Sequence, residues 1–383
     1  MKKTDGRTRT RALFGGSFDP PTHAHIGIGR ALAARFDEVI VLPARVSPFK
    51  QAVVPAPPAW RLAMLTAAFS ACPNITVSDF ELGLTGVSYS YLTARAFSAP
   101  GIDLYFAVGS DGAASFDRWA RTDLLRELVT FYIIPRPGYP MTDGTLEAAN
   151  RVVRAVKADF TGGEGSSTLF RVANAFGLGR EVSPAFIADA ARAAGLYGEY
   201  GAIVGRFKEF GLSDTRIRHI YGTAKAAVAL AGRFGAGQDA AARAALLHDI
   251  GKNTEPNAFC TPAEAAELEK QPPACRHAPL SAYIAKRAFG ETDADVLAAI
   301  ETHTVGAPEM STLQKIVFIA DYIEEGRHFS GVERVRAAAQ TDLDSAVLAC
   351  YEETFSYLKK TDREISPQSF DAYRHYQVKF TKQ

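Results

Sequence analysis

A glycine pair and a histidine near the start of the chain have the types and spacing for phosphate chemistry. They lie in the run Leu13-Phe-Gly-Gly-Ser-Phe-Asp-Pro-Pro-Thr-His-Ala-His25. A β-type pattern ends at Gly15 and Gly16, and a helical pattern begins close to His25. Glycines let a ligand approach the backbone closely, and the N–H groups of a helix N-terminus attract anions. The run therefore predicts a phosphate site at the first strand–helix turn.

Hydroxyl groups and an arginine form a second candidate phosphate contact, Ser166-Ser-Thr-Leu-Phe-Arg171. Hydroxyls at a helix start cap free N–H groups and can also bind phosphate oxygens. Arg171, one helical turn further on, can clamp a phosphate with two N–H groups. Alone, this pattern is more often only a helix cap. On the same chain as the first run, it favours phosphate binding.

Histidines and aspartates in the second half of the chain have the residue types of a metal site. They lie near the ends of predicted helices or in apolar helical runs: His219, His248, Asp249, His277, His303 and Asp321. A carboxylate in an apolar helix is costly unless it is paired or bound to metal. Imidazole and carboxylate ligands without thiolate suit Fe, Mn, Zn or Co. We therefore expect the six side chains to converge on a metal centre.

The elements that must position these residues change type near residue 200. Before it, β-type runs alternate with helical patterns, at Ala12–Phe14, Gly27–Phe36, Glu38–Leu42, Trp60–Ser70, Ile75–Val77, Asp103–Val108, Val129–Pro135 and Leu146–Val156. After it only helical patterns occur, at Arg216–Phe234, Ala240–His248, Leu280–Phe289, Ala294–Thr302, Leu313–Ile323 and Leu343–Leu358. Alternation predicts a parallel sheet covered by helices on both faces. The predicted fold is α/β and Rossmann-like, followed by an all-α domain.

Composition excludes several classes of protein. The 383 residues carry 43 Lys+Arg against 42 Asp+Glu, so a protein that coats nucleic acid or an anionic membrane is not expected. Four cysteines without C-x-x-C spacing indicate reduced, structural thiols. No run approaches the ~20 apolar residues of a membrane helix, so we expect a cytoplasmic protein. Composition leaves a homo-oligomer open.

The first run resembles the signature of the nucleotidylyltransferase superfamily, (His or Thr)-x-Gly-His. Thr22 holds the first position, Ala24 the usual glycine position and His25 the second histidine. More narrowly, Asp103–Asp111, Phe116–Trp119 and 134–138 resemble the bacterial nicotinate mononucleotide adenylyltransferases, over about residues 10–198. That resemblance implies that ATP and nicotinate mononucleotide give deamido-NAD and pyrophosphate, with Mg²⁺.

The same resemblance implies roles for individual residues. The attacking phosphate oxygen is already ionised, so catalysis needs positioning and charge stabilisation rather than a base. His25 is expected to donate to the transition state, and Thr22 to hydrogen-bond phosphate. Lys50 and Arg171 are expected to hold the triphosphate, and Trp119 to face the pyridine ring. The remaining expected ATP or substrate contacts are Gly15, Gly16, Ser17, Asp111, Arg136, Ser166, Ser167 and Thr168.

The second half resembles the HD-domain metallohydrolases, most closely the YqeK branch of symmetrical diadenosine tetraphosphatases. The matching segments span about residues 205–375, in the order Arg216–His219, Leu246–Lys252, His277–Tyr283, Ile300–Thr304 and Lys315–Glu324. The resemblance implies a dinuclear, iron-containing centre with the six residues above as ligands. Lys252 is expected to neutralise phosphate charge at this catalytic site, and Arg327 is a further polyphosphate candidate.

The combined hypothesis is a bifunctional enzyme acting on ATP, nicotinate mononucleotide and diadenosine tetraphosphate. We expect a disordered tail at 1–10, an adenylyltransferase domain at 11–198, a linker at 199–212 and a metallohydrolase domain at 213–383. One alternative changes the acceptor to pantetheine phosphate, nicotinamide mononucleotide or FMN. Another makes the second half a nucleotide-sensing regulatory module. Phe116–Trp119 favours nicotinate mononucleotide, and the complete ligand set with Lys252 favours catalysis.

Overall fold

The computed structural model describes residues 8–47, 55–137, 141–163 and 165–381. These residues divide into two compact units. The first runs to Phe170 and includes Gly179–Leu196, and the second comprises Arg171–Leu178 and the chain from Tyr197 onward.

The first unit is built on a parallel six-stranded sheet with the order β3-β2-β1-β4-β5-β6. Its strands are β1 (Arg9–Gly16), β2 (Glu38–Pro43), β3 (Ile75–Val77), β4 (Ile102–Gly109), β5 (Thr130–Ile134) and β6 (Ala155–Lys157). The strand order reverses between β1 and β4, which pair directly. Ligands of open α/β sheets bind at such a switch point, outside the carboxyl ends of the strands. Here those ends carry Gly16 and Gly109.

Helices cover both faces of this sheet. They are α1 (His23–Ala33), α2 (Pro58–Phe69), α3 (Ser90–Phe97), α4 (Ser110–Ala113), α5 (Thr122–Leu128), α6 (Asp143–Val152) and α8 (Ala185–Ala193). Helix α7 (Ser167–Ala175) lies between α6 and α8 in the chain, and its residues from Arg171 onward belong to the second unit. Alternate residues of β2 enter different cores: Val39 and Val41 join one cluster, and Ile40 and Leu42 the other. Burial on both faces explains why this strand is apolar throughout.

All regular elements described in the second unit downstream of Tyr197 are helical. They are α9 (Glu199–Val204), α10 (Asp214–Arg233), α11 (Gln238–Leu247), α12 (Pro262–Glu269), α13 (His277–Ala288), α14 (Ala294–Thr302), α15 (Thr312–Ile323), α16 (Val332–Ala338), α17 (Leu343–Lys360) and α18 (Pro367–Thr381). The central helix α11 is alanine-rich, and Ala241 and Ala245 are fully buried. The predicted fold class, a parallel α/β unit followed by an all-α unit, is confirmed.

The sequence patterns do not predict the sixth strand, β6. A helix was predicted over Leu146–Val156, but α6 ends at Val152 and β6 begins at Ala155. Asn150 explains the turn, because its side-chain amide donates to the carbonyl of Ala155 and accepts the N–H of the same residue. A side chain that satisfies backbone groups in this way competes with helix continuation.

The predicted tail and linker also differ from the structure. Arg9 and Thr10, expected in a disordered tail, belong to β1 and pair with β4; residues 1–7 lie outside the described residues. The expected linker 199–212 packs within the second unit, because Tyr200, Phe207 and Leu212 are buried. None of the described helices is both long and apolar enough to cross a membrane.

Candidate functional sites

A cavity of about 550 Å³ opens at the carboxyl ends of β1 and β4 in the first unit. Its walls bring together many of the residues expected to bind ATP or substrate, namely Gly15, Gly16, Ser17, His25, Asp111, Trp119 and Arg136. The glycine pair therefore lies where the first strand–helix turn was predicted to receive a ligand. This cavity is the candidate nucleotide site.

His25 is held in a defined tautomer by the residue that caps its helix. Thr22 is the N-cap of α1, and its backbone N–H donates to Nδ1 of His25 over 3.0 Å. A nitrogen that accepts an N–H carries no proton of its own, so the neutral ring bears its proton on Nε2. Thr22 is fully buried and is not among the described residues that line the cavity. It was expected to bind phosphate, but its contacts here position His25.

Asp111 and Arg136 form an ion pair on the cavity wall. The guanidinium NH1 donates to Oδ2 of Asp111 over 3.0 Å, and NH2 donates to the carbonyl of Gly165 over 3.3 Å. A Cβ at Gly109 would overlap Oδ1 of Asp111 and would lie 2.8 Å from Cδ of Arg136. The end of β4 thus needs glycine, because a larger residue would displace the pair.

Trp119 is a fixed aromatic surface beside the cavity. Its indole meets Phe116 and Phe131 edge-on, with ring centroids 5.2 and 5.5 Å apart. Its Nε1–H donates to the hydroxyl of Ser115 over 3.2 Å. Aromatic neighbours and this hydrogen bond restrict rotation of the ring, as a stacking surface for a planar ligand requires.

Several cavity residues were not identified from the sequence as site residues, namely Glu81, Ser88, Tyr89 and Arg118. Glu81 is buried, accepts the hydroxyl of Thr93 over 2.7 Å, and has its pKa raised by burial. Neither the spacing of Glu81 nor its neighbours in the sequence indicate that it lines the cavity. Arg118 could have been identified, because it directly precedes Trp119 within the segment Phe116–Trp119.

The second phosphate motif lies differently from the prediction. Ser166 caps helix α7 by accepting the N–H of Leu169, and Ser167 donates to the carbonyl of Pro20. Arg171 pairs with Glu199 over 3.2 Å and belongs to the second unit. Among the described residues, the cavity wall includes none of the predicted motif residues Ser166, Ser167, Thr168 and Arg171. Lys50 lies outside the described residues.

The six predicted ligands do come together in the second unit. They are supplied by five helices or their ends: His219 by α10, His248 and Asp249 by the end of α11, His277 by α13, His303 by the end of α14, and Asp321 by α15. Nε2 of His219 lies 2.9 Å from Oδ1 of Asp321, and Nε2 of His277 lies 3.2 Å from Oδ1 of Asp249. Helices distant in sequence therefore meet at one cluster.

The ligand atoms fall into two overlapping groups, each close enough together to be a candidate metal position. One comprises His219, His248 and Asp321, the other His248, Asp249 and His303, and in each the ligand atoms lie within 4.8 Å of one another. His248 belongs to both groups. Nε2 of His277 lies 3.2 Å from Nε2 of His303, which places it beside the second position.

Backbone carbonyls orient two of the histidines. Nδ1 of His248 lies 2.7 Å from the carbonyl of Ala245, and Nδ1 of His303 lies 2.7 Å from the carbonyl of Ile300. A carbonyl can only accept, so each Nδ1 carries the ring proton and each Nε2 presents a lone pair to the cluster. This is the arrangement in which imidazole binds a metal.

The charges of the cluster also fit a divalent metal. Burial lowers the pKa of His248 to about 3 and also lowers that of His277, so both rings are neutral near pH 7. Burial opposes ionisation of Asp249 and Asp321, but the surrounding histidines outweigh it and lower both pKa values. His219 differs, because burial lowers its pKa but contact with the Asp321 carboxylate outweighs burial and raises it. Metal binding requires neutral imidazoles and ionised carboxylates, so His248 and His277 are already in the required state, and a metal that binds His219 displaces its proton.

Three cations surround this cluster. Nζ of Lys252 lies 3.2 Å from Nε2 of His277, NH1 of Arg216 donates to Asp249 over 2.5 Å, and NH2 of Arg327 donates to Asp321 over 2.8 Å. They provide positive charge next to the metal ligands, where a phosphate chain could bind. Arg216 was not recognised as a site residue, although it lies one helical turn before His219. Thr304 was also not recognised as a site residue, and its hydroxyl lies 3.0 Å from Nε2 of His303.

Fold and sites together define a two-part protein, a nucleotidyltransferase-like unit joined to a helical metal-binding unit. Residues 13–173 match the cytidylyltransferase-like family, and residues 216–326 match the HD domain. The HD unit carries a site for a divalent metal.

Relatives match both units. The "Bis(5'-nucleosyl)-tetraphosphatase, symmetrical" of Halalkalibacterium halodurans is 39% identical over 167 residues, which cover 42% of this chain and 89% of that protein. The "Probable nicotinate-nucleotide adenylyltransferase/Ap4A hydrolase" of Mycoplasma pneumoniae is 27% identical over 82% of this chain and 88% of its own length. The "Probable nicotinate-nucleotide adenylyltransferase" of Geobacillus thermodenitrificans is 36% identical over 34% of this chain and 62% of that protein. Through its HD part, the chain belongs to the family of symmetrical bis(5'-nucleosyl)-tetraphosphatases.

Proposed function

We propose that the chain is a bifunctional enzyme. The first unit transfers the adenylyl group of ATP to nicotinate mononucleotide and releases pyrophosphate and deamido-NAD. The second unit, which includes the residues from Tyr197 onward, hydrolyses diadenosine tetraphosphate to ADP. The observation that carries the proposal is that a nucleotide-sized cavity at a switch point and a six-ligand cluster occur in one chain. The printed name of the Mycoplasma pneumoniae relative pairs the same two activities.

Adenylyl transfer requires orientation rather than a base. The attacking oxygen of nicotinate mononucleotide is ionised at neutral pH, so the enzyme must align it with the α-phosphate of ATP. The Nε2–H of His25, defined by the contact with Thr22, stabilises the charge that develops on the α-phosphate oxygens. Asp111 and Arg136 hold the nucleotide, and Trp119 faces the pyridine ring. A Mg²⁺ ion bound with the triphosphate would neutralise part of its charge.

Hydrolysis of the tetraphosphate takes place at the six-ligand cluster. When bound there, two divalent metals would lower the pKa of a water molecule and supply hydroxide near neutral pH. These ions would be held through nitrogen and oxygen atoms, a donor set that fits iron. Five donors come from His219, His248, His303, Asp249 and Asp321. His277 supplies the sixth, because its Nε2 lies 3.2 Å from Oδ1 of Asp249. Lys252, Arg216 and Arg327 bind the phosphate chain and orient it for cleavage between the central phosphates.

A substrate panel on the purified full-length chain tests this proposal. Nicotinate mononucleotide, nicotinamide mononucleotide, pantetheine phosphate and FMN are each incubated with ATP and Mg²⁺, and pyrophosphate release is followed. Dinucleoside polyphosphates of three to six phosphates are incubated separately with Fe²⁺, Mn²⁺ or Co²⁺. We expect nicotinate mononucleotide to be the preferred acceptor and diadenosine tetraphosphate to give ADP alone. Preference for another acceptor, or absence of hydrolysis with every metal, would contradict the corresponding half of the proposal.

A further inference from the structure

A buried glutamate contacts the metal cluster from outside the ligand set. Glu324 directly follows α15 and is 5% exposed. Its Oε1 lies 3.2 Å from Nδ1 of His219, the ring atom opposite the one that faces Asp321. A buried carboxylate is costly unless it is well hydrogen-bonded, so its partners indicate what it does.

The partners of Glu324 fix its carboxylate in this position. The N–H of Gly326 donates to Oε2 over 2.6 Å, and Nε of Arg327 lies 3.7 Å from Oε1. The backbone is fixed as well, because the guanidinium of Arg336 donates to the carbonyls of Ile323 and Glu324. The glutamate is therefore anchored independently of the histidine that it meets.

A glycine on the facing helix makes room for this contact. Gly222 lies on α10, one turn after His219, and a Cβ at that position would overlap Oε2 of Glu324. Its backbone is ordinary α-helix, so conformation does not require glycine there. Glycine in a helix interior is less favourable than alanine. Close approach of the carboxylate is the physical reason for this residue.

His219 is oriented differently from His248 and His303. His248 and His303 meet backbone carbonyls through Nδ1, whereas His219 meets a carboxylate. A carboxylate that accepts the Nδ1 proton fixes the tautomer, makes Nε2 a stronger ligand and commonly changes metal affinity by about 10- to 100-fold. His219 belongs to only one of the two metal positions.

We propose that Glu324 is a positioning residue for one metal position only, the one formed by His219, His248 and Asp321. It acts through His219, strengthening this position relative to the one formed by His248, Asp249 and His303. Gly222 contributes to the same contact, because the absence of a side chain there leaves space for the carboxylate of Glu324. The inference rests on the proposed dinuclear hydrolase site and adds a difference in affinity between its two ions.

Metal titration of the full-length chain tests the inference directly. The metal-depleted protein is titrated with Co²⁺ against a chromophoric chelator, and the visible absorption of bound Co²⁺ is recorded for each ion. We expect two binding events in the wild type. In Glu324→Ala one of them weakens about 10- to 100-fold with a changed Co²⁺ spectrum, and the other stays within about twofold. Glu324→Gln keeps a hydrogen-bond acceptor without the charge, so its affinity for the weakened ion should lie between those of the wild type and Glu324→Ala.

Two further variants separate positioning from general damage. Gly222→Ala displaces the carboxylate from the other helix, so it should weaken the same binding event as Glu324→Ala. The double variant should lose little beyond either single variant, since both remove one contact. Glu325→Gln changes a neighbouring exposed carboxylate that pairs with Lys225 and should alter neither event.

Four outcomes would overturn the inference. Unchanged Co²⁺ binding in Glu324→Ala, or equal weakening of both events, would show that Glu324 does not act on one position through His219. Additive losses in the double variant would show that Gly222 and Glu324 act separately. A wild-type chain that binds no Co²⁺, Fe²⁺ or Mn²⁺ would overturn the hydrolase proposal as well, which distinguishes that failure from the others.

Discussion

The backbone N–H of Thr22 lies 3.0 Å from Nδ1 of His25, and the hydroxyl of the same threonine lies 2.9 Å from that nitrogen. One residue thus caps helix α1 and sets the tautomer of the histidine one turn later. The N–H of His25 returns toward the threonine hydroxyl, which closes a capping box. The cavity histidine is consequently oriented by the start of its own helix.

Replacing Thr22 by valine should impair adenylyl transfer without removing a group that touches substrate. The substitution keeps the shape but deletes the hydroxyl beside Nδ1, so His25 is held less firmly. We expect kcat to fall about tenfold with KM nearly unchanged, and stability to fall by about 1 kcal/mol through loss of the cap. Steady-state kinetics and urea unfolding measure the two effects. Thr22→Ser, which retains the hydroxyl, is the matched control, and an unchanged kcat in Thr22→Val would argue against positioning.

Gly109→Ala should disturb the ion pair of the cavity without touching either charged residue. The added methyl would meet Oδ1 of Asp111 and Cδ of Arg136 at distances shorter than van der Waals contact. We expect KM for ATP to rise by about tenfold, equivalent to about 1.4 kcal/mol, while tetraphosphate hydrolysis is unaffected. Gly144→Ala, an exposed helical position in the same unit, provides the control. Wild-type KM in Gly109→Ala would mean that the pair does not hold the nucleotide.

Arg216→Gln should weaken binding of the polyphosphate. Its guanidinium lies 2.5 Å from the carboxylate of Asp249, beside the proposed path of the phosphate chain. Loss of a charge-assisted hydrogen bond of about 1.5–3 kcal/mol predicts a KM for diadenosine tetraphosphate raised about 10- to 100-fold. Arg218→Gln removes a charge of the same kind two residues away and should have little effect. If both variants had the same KM for diadenosine tetraphosphate, Arg216 would not contribute to polyphosphate binding.

Glu81→Gln should change how stability depends on pH. Burial raises the pKa of this carboxyl above its ordinary value of 4.5, so the folded chain binds the proton more tightly than the unfolded chain. Between these two pKa values the unfolded state has lost more protons, and the free energy of unfolding therefore falls as pH rises. The variant cannot ionise, so we expect a shallower decline from about pH 4.5 upward, measured by urea unfolding at several pH values. Identical slopes in wild type and variant would contradict the raised pKa.

Local patterns predicted much of the fold and the metal site. The β-type run at Glu38–Leu42 was recognisable because a strand buried on both faces is apolar throughout. Ile75–Val77 is a half-buried edge strand and was recognisable from its β-branched residues. The metal ligands were identifiable because an aspartate or a cluster of histidines in apolar helices is costly to bury without a metal or a charged partner. Resemblance to known families then supplied what spacing could not, including the expected reactions.

Contacts between distant residues were not predictable from the sequence. Arg171 has the pattern of a phosphate clamp but pairs with Glu199, a choice made by tertiary packing. Glu81 and Glu324 show no periodicity that distinguishes them from solvent-exposed glutamates, yet both are buried. Glu81 lies in the wall of the cavity, and Glu324 contacts His219. Local spacing does not encode which side chain of another element they meet.

The central claim is that one chain carries two independent active sites. The most direct measurement is a comparison of both reactions in the full-length wild type, His25→Ala and Asp249→Ala. We predict that His25→Ala loses adenylyl transfer by at least about 100-fold and retains tetraphosphate hydrolysis within about twofold. Asp249→Ala should show the reverse, because it removes a metal ligand from the other unit. Loss of both activities in each correctly folded variant, or retention of both, would contradict the account.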